Sequence, residues 1–228
     1  MAVNLRIIIV GFIGLFAVFV LVLFLAAGTV WWPEGWAYLL LFFGANAALS
    51  SWLLKHDPEL LQERMTGFGK GGEPFWDKVF LAALEIFLLA WFAVMGLDAV
   101  RFRWSQMPAW LQVVGVILLL VSFYLFFLTF RENPYLSPAV RVQKERGQKV
   151  ISTGPYNYVR HPMYAAGIPF AAGTALLLGS WYGLLMGVVF TIALAFRAVQ
   201  EERVLRAELP GYQEYMAQVE YRFIPHVW

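Results

Sequence analysis

The charges of this chain are gathered into a few short segments between long apolar runs, and that segregation constrains the fold more than any motif does. Leu5 to Val30 carries one charge, Arg6 at its edge, and is long enough to cross a hydrocarbon core of about 30 Å. Trp36 to Leu54, Val79 to Val100 and Ala109 to Phe130 repeat the pattern, whereas Met163 to Phe196 is too long for a single crossing. The helix-breaking pair Gly179-Ser180 divides that block into two arms of about 16 residues, each roughly 24 Å long. The expected fold is all-α: a polytopic membrane helix bundle of about six transmembrane helices, five being possible. Its last two spans form a helical hairpin that continues into a cytoplasmic helix. The first run exceeds a secretory h-region of about 7–15 residues and further spans follow it, so it is expected to be retained.

Composition supports this reading by exclusion. Apolar residues make up 61% of the chain and charged residues 14%, against roughly 25% charged in an average soluble domain. Abundant Phe, Trp and Tyr exclude disorder, and the absence of Cys excludes disulfides, thiolate metal sites and a cysteine nucleophile. With 3 His, no conventional zinc site is expected. A net charge of +2 gives no reason to invoke a nucleic-acid partner.

The basic residues set the orientation. Arg6, then Lys55, Arg64, Lys70 and Lys78, then Arg131, Arg141, Lys144, Arg146, Lys149 and Arg160, and finally Arg197, Arg203, Arg206 and Arg222 fall on one side of the alternating spans. Only Arg101 and Arg103 fall on the other side, where Trp31, Trp32, Trp36, Trp104, Trp110 and Trp181 are expected to form an interfacial belt. Both termini are therefore predicted to be cytoplasmic. One integrated domain is expected, with membrane helices one to four and the cytoplasmic loop 55–78 in residues 1–130. Residues 131–228 hold the cytoplasmic segment, the hairpin, the C-terminal helix and the tail, and any chemistry belongs there.

Three features outside that region have bland readings. Gly67-Phe68-Gly69-Lys70-Gly71-Gly72 has the glycines of a phosphate cradle but no preceding strand and no following Lys-Ser/Thr pair, so it reads as a connector. Asp57 and Pro58 start a short interfacial helix whose apolar edge is Leu60, Leu61 and Met65. Glu85 and Asp98 lie within the third span, where a carboxylate is costly unless it faces the bundle interior or a wet cavity.

The densest polar and aromatic stretch, Thr153 to Tyr164, stands immediately before the hairpin. Gly154-Pro155 sets a turn and Pro162 starts a helix, which places Arg160 and His161 at that helix's N-terminal edge. Backbone N–H groups, the helix dipole and a guanidinium all favour an anionic guest there. The competing reading is a juxtamembrane anchor, with Arg160 on lipid phosphate. Arms of similar length return Glu201 and Glu202 to the surface that carries Arg160 and His161. Against a site stands the view that Arg197 with Glu201, and Glu202 with Arg206, are i,i+4 pairs on a solvated helix. The tail from Tyr212 to Pro225, aromatic and basic, reads either as a lid or as a surface anchor.

The run Gly154-Pro155-Tyr156, the run Val159-Arg160-His161-Pro162-Met163-Tyr164, the pair Glu201-Glu202 and the tail from Tyr212 to Pro225 together resemble the integral-membrane methyltransferases. These are the isoprenylcysteine carboxyl methyltransferase and phospholipid N-methyltransferase families. The resemblance runs through the last two fifths of the chain; the first four spans match only as generic apolar helices. It implies S-adenosylmethionine bound in a cytoplasmic pocket, with a lipophilic acceptor entering from the bilayer. The cofactor's carboxylate suits Arg160, His161 and the helix start at Pro162, and its ammonium and ribose hydroxyls suit Glu201 or Glu202. Tyr156, Tyr164 and Tyr212 offer faces to adenine or sulfonium, and Gly167 permits close approach of the cofactor or the second arm. The implied reaction is in-line methyl transfer. A carboxylate acceptor needs a cation such as Arg222, and an amine acceptor needs a base, for which Glu201, Glu202 or His161 would serve. Gln218 and Glu220 stand where this kind of tail often carries basic or neutral residues, leaving Arg222 as the candidate clamp.

Two other readings compete. Sterol reductases share an Arg-His-Pro-x-Tyr segment followed by an acidic helix and use NADPH, whose phosphate asks for more cations than this region offers. A non-enzymatic transporter or scaffold would be expected to show interrupted midplane helices in matching halves, and none is evident.

Overall fold

The structure is a computed structural model that describes residues 5–66 and 72–228. Among these residues the chain forms eight α-helices and no strand: α1 (Leu5–Ala27), α2 (Pro33–His56), α3 (Pro58–Thr66), α4 (Phe75–Gly96), α5 (Ala109–Glu132), α6 (Pro162–Leu178), α7 (Trp181–Glu208) and α8 (Tyr212–Gln218). α1, α2, α5, α7 and α4 with its π-wound extension to Phe102 are long and apolar enough to cross a membrane. In hydrocarbon a backbone must satisfy its own polar groups, which is why these apolar runs fold as helices. α6, with 17 residues, reaches roughly 26 Å at 1.5 Å per residue. Residues 67–71 of the glycine-rich connector lie outside the described residues.

The long apolar block divides where the sequence predicts. Gly179 ends α6 with φ 78°, a left-handed conformation that suits glycine, and Ser180 caps α7 by accepting the Gly183 N–H at 2.8 Å. α6 is the buried centre of the bundle, packed against α5 and α7 and touching α2 and α4. Two glycines allow its closest approach: a Cβ on Gly115 would lie 2.5 Å from the Leu177 nitrogen, and one on Gly173 would lie 2.8 Å from the Gly115 oxygen.

The outer faces carry large apolar side chains in the open, such as Val10, Leu40 and Ile86, as a lipid-facing surface requires. Trp31, Trp36, Trp104, Trp110 and Trp181 point outward, but Trp32 does not belong to this belt. It is 4% exposed, because Pro33 starts α2 and turns the preceding ring inward over Gly35, where a Cβ would come within 2.8 Å of it. Asp57 caps α3 through the Leu60 N–H, as expected, yet Leu60 and Leu61 pack on Leu53 and Phe130 inside the protein, leaving Met65 outward.

The two intramembrane carboxylates part company. Asp98 is fully buried and accepts from Ser105 and, at 2.6 Å, from the Ser180 hydroxyl that caps α7. Glu85 lies on the exposed face of α4 and faces neither the bundle interior nor the cavity described below.

Candidate active site

The hairpin joins residues forty positions apart. Arg160 Nε donates to Glu202 Oε1 at 2.7 Å, and His161 Nε2 lies 3.2 Å from the same oxygen. Arg222 Nε donates to Glu202 Oε2 at 3.0 Å, with Arg206 Nη2 at 3.7 Å. Glu202 is 1% exposed, and a carboxylate so deeply placed is tolerable because cations from three segments surround it.

The tail follows from the same hub. Tyr221 and Arg222 carbonyls accept the Arg160 and His161 N–H groups, each at 2.9 Å, while Arg160 Nη1 donates to the carbonyls of Val219 at 2.7 Å and Glu220 at 2.6 Å. Phe223 then sets its ring edge-on to His161 and Tyr164. The tail is thus an extended strap laid along residues 160–161.

Glu201, one position earlier and about 100° round the helix, does different work. It accepts the Tyr164 hydroxyl at 2.6 Å and stands 3.9 Å from His161 Nδ1. It lines a cavity of about 100 Å³ together with Arg160, His161, Pro162 and Tyr164. Tyr156 and Tyr212 form another part of the wall, and Leu136, Ala139, Val140 and Met163 an apolar part. Tyr156 is held by Asn133, whose side-chain amide donates to its hydroxyl at 2.8 Å, and by Tyr215, whose hydroxyl donates to its carbonyl at 2.7 Å. Burial, reinforced by the charges of Glu202 and Glu201, pushes the Tyr212 phenol above its ordinary range, so it stays protonated. Among the described residues its buried hydroxyl has no hydrogen-bond partner.

Of the residues expected to bind a cofactor, Tyr156, Arg160, His161, Pro162, Tyr164, Glu201 and Tyr212 line this cavity; Gly167 and Glu202 do not, and neither does Arg222, the expected clamp for a carboxylate acceptor. Gly167 faces Leu194 of α7, which a Cβ would meet at 2.7 Å, so it serves the approach of the second arm. Arg222 lies over the Trp228 ring, 4.9 Å from its centroid, and holds Glu202. Of the two i,i+4 pairs that the solvated-helix reading supposes, Glu202 with Arg206 forms and Arg197 with Glu201 does not: Arg197 Nε and Nη2 bind Asp77 of α4 at 2.9 and 3.2 Å. Sequence reasoning overlooked Asp77, Asn133 and Tyr215. For Asp77 a signal existed, since a carboxylate in the first turn of one span and an arginine at the exit of another each require a partner.

The arrangement, a helical hairpin carrying opposed cations and carboxylates at one end of an apolar bundle, is that of an integral-membrane protein with a polar cavity beside the hairpin. Residues 111–209 match the family model described as phospholipid methyltransferase. The match begins within α5, upstream of the stretch that carried the resemblance in sequence. No curated protein matches the chain with significance.

Proposed function

We propose that the protein is an S-adenosylmethionine-dependent methyltransferase that modifies a lipophilic acceptor, a carboxylate, amine or oxygen of a lipid or prenyl-like molecule drawn from the bilayer. The observation that carries this reading is one cavity, lined mostly from the family-matched stretch and bordered by the start of α6, a carboxylate and tyrosine faces.

The residues present fit the cofactor. The first turn of α6 has no side-chain cap, so the Met163 and Tyr164 N–H groups, both at the cavity, are available to a carboxylate. Glu201 suits an ammonium or ribose hydroxyls, and the unpartnered Tyr212 hydroxyl is a donor awaiting an acceptor. Bound there, S-adenosylmethionine supplies a methyl group on a positively charged sulfur, already activated for transfer. The protein's part is positioning and exclusion of water. Glu202 fixes Arg160 and His161, and Tyr164 fixes Glu201. With an amine acceptor, Glu201 or His161 takes the released proton. We assign Arg222 to closing the strap, since its Nε is engaged by Glu202.

A cavity of about 100 Å³ is below the roughly 300–1,000 Å³ of ordinary ligand sites, so loading requires its walls to move apart. The distribution of lysine and arginine supports cytoplasmic termini and a cytoplasmic site. Calorimetry on the reconstituted protein tests the proposal: S-adenosylmethionine binds, Glu201→Ala weakens it, and labelled methyl passes to a membrane lipid extract. Binding of NADPH without S-adenosylmethionine would overturn it.

A further inference from the structure

Among the described residues Asp77 and Arg197 form the best-buried ion pair outside the hub around Glu202, at 0% and 5% exposure. Packing α4 against α7 does not call for it, because apolar side chains of similar volume join helices as well as or better than a buried pair. What apolar side chains cannot do is bind backbone. Asp77 Oδ2 accepts the Val140 N–H at 2.6 Å, and Arg197 Nη2 donates to the Pro138 carbonyl at 2.7 Å. Each partner therefore holds the same short segment, and Ala139 and Val140 of that segment are cavity wall. The guanidinium also lies 6.0 Å from the centre of the Tyr164 ring, whose hydroxyl holds Glu201.

We infer that Asp77 is a positioning residue for the acceptor side of the site, and that with Arg197 it fixes residues 138–140 as the apolar wall facing Tyr164. The inference rests on the methyltransferase reading. It gives a part in the site to α4, which lies outside the family-matched stretch. Asp77 sits in the first turn of that helix, where the N-terminal dipole favours a carboxylate. The wall it holds is apolar, with Leu136 and Met163 alongside, and so meets the lipophilic part of an acceptor, whereas the start of α6 and the tyrosines meet the cofactor.

The test compares wild type, Asp77→Leu and the double variant Asp77→Leu/Arg197→Met, full-length in one detergent. Thermal unfolding, S-adenosylmethionine affinity, half-saturating concentration of a membrane lipid extract, and hydrogen exchange at the Val140 amide are measured on each. Asp77→Leu loses thermal stability, and the double variant, which leaves no unpaired buried charge, regains most of it. Both variants keep S-adenosylmethionine affinity within about twofold, need about tenfold to a hundredfold more lipid for half-saturation, and lose Val140 protection. If lipid dependence returns to the wild-type value together with stability, the pair is merely structural and the inference falls. A wild type that neither binds S-adenosylmethionine nor transfers methyl overturns the methyltransferase reading and the acceptor role with it; Val140 exchange then decides whether Asp77 holds the wall.

Discussion

Glu201 and Glu202 are neighbours in sequence with opposite roles, and substituting each separates those roles in one experiment. Glu202→Ala removes the acceptor of Arg160, His161 and Arg222 at once and leaves the Arg160 side chain, 4% exposed, without its counter-charge. Removing one member of a buried pair costs roughly 3–5 kcal/mol, out of a total stability of about 5–15 kcal/mol for a typical protein. At about 2–4 °C per kcal/mol for a chain of this length, the unfolding midpoint in detergent should fall by about 6–20 °C. Glu202→Gln keeps two polar atoms in place without the charge and should fall between the variant and wild type. Glu201→Gln should behave otherwise: Glu201 is partly exposed and accepts one hydrogen bond, so the midpoint should drop by at most a few degrees while S-adenosylmethionine affinity falls at least tenfold. Differential scanning fluorimetry and calorimetry on the same preparations read both quantities. A Glu202→Ala midpoint within about 2 °C of wild type would refute the hub argument. So would a Glu201→Gln protein that loses stability and keeps its cofactor.

Other expectations follow from single contacts. Tyr212→Phe removes a buried hydroxyl that lacks a partner, so stability should hold or rise while cofactor affinity drops, with a ligand-induced midpoint shift as the readout. Gly173→Ala drives a methyl to within 2.8–2.9 Å of α5 backbone atoms, and overpacking of about 1–3 kcal/mol should lower the midpoint by roughly 2–12 °C without changing which cofactor binds. Ser180→Ala loses the cap of α7 and one donor to Asp98, for about 0.5–2 kcal/mol and a midpoint about 1–8 °C lower.

What the sequence disclosed and what it hid divide along physical lines. Lipid leaves a backbone little choice, so the spans and the break at Gly179-Ser180 are legible from hydropathy and helix-breaking residues alone. The meeting of Arg160 with the Glu201-Glu202 pair is likewise legible, because two arms of similar length return to the same level. The assignment within the pair is not, since it depends on the rotation of α7, and a pattern that is apolar over most of the helix does not fix rotation. The partner of Arg197 lies 120 positions away on α4, and no local spacing announces it. Arg222 was expected at the acceptor; the strap's backbone pairing with residues 160–161 draws its side chain to Glu202 instead. Glu85 shows the same limit from the other side, because the face a lone carboxylate takes is set by packing that hydropathy does not record.

The rotation of α7 is fixed at both ends of the bundle, and α4 does the fixing. At one end Asp98 holds Ser180, the cap of α7; at the other Asp77 holds Arg197. The two carboxylates are separated by roughly 31 Å of helix at 1.5 Å per residue, close to the thickness of a hydrocarbon core, and between them the buried residues of α4 are Trp91, Phe92, Met95 and Gly96. Apolar packing tolerates sliding and rotation of one helix on another, whereas a carboxylate left without its donors in such an interior does not. A slip of α7 by one residue turns it by about 100° and would break both pins together. The same slip would carry Glu202 away from Arg160 and bring Glu201 toward its place, exchanging the structural carboxylate for the one that faces the cavity. The precision of the site is therefore set by polar contacts distant from it, and weakening Asp98 at the far end should blur the distinction between Glu201 and Glu202.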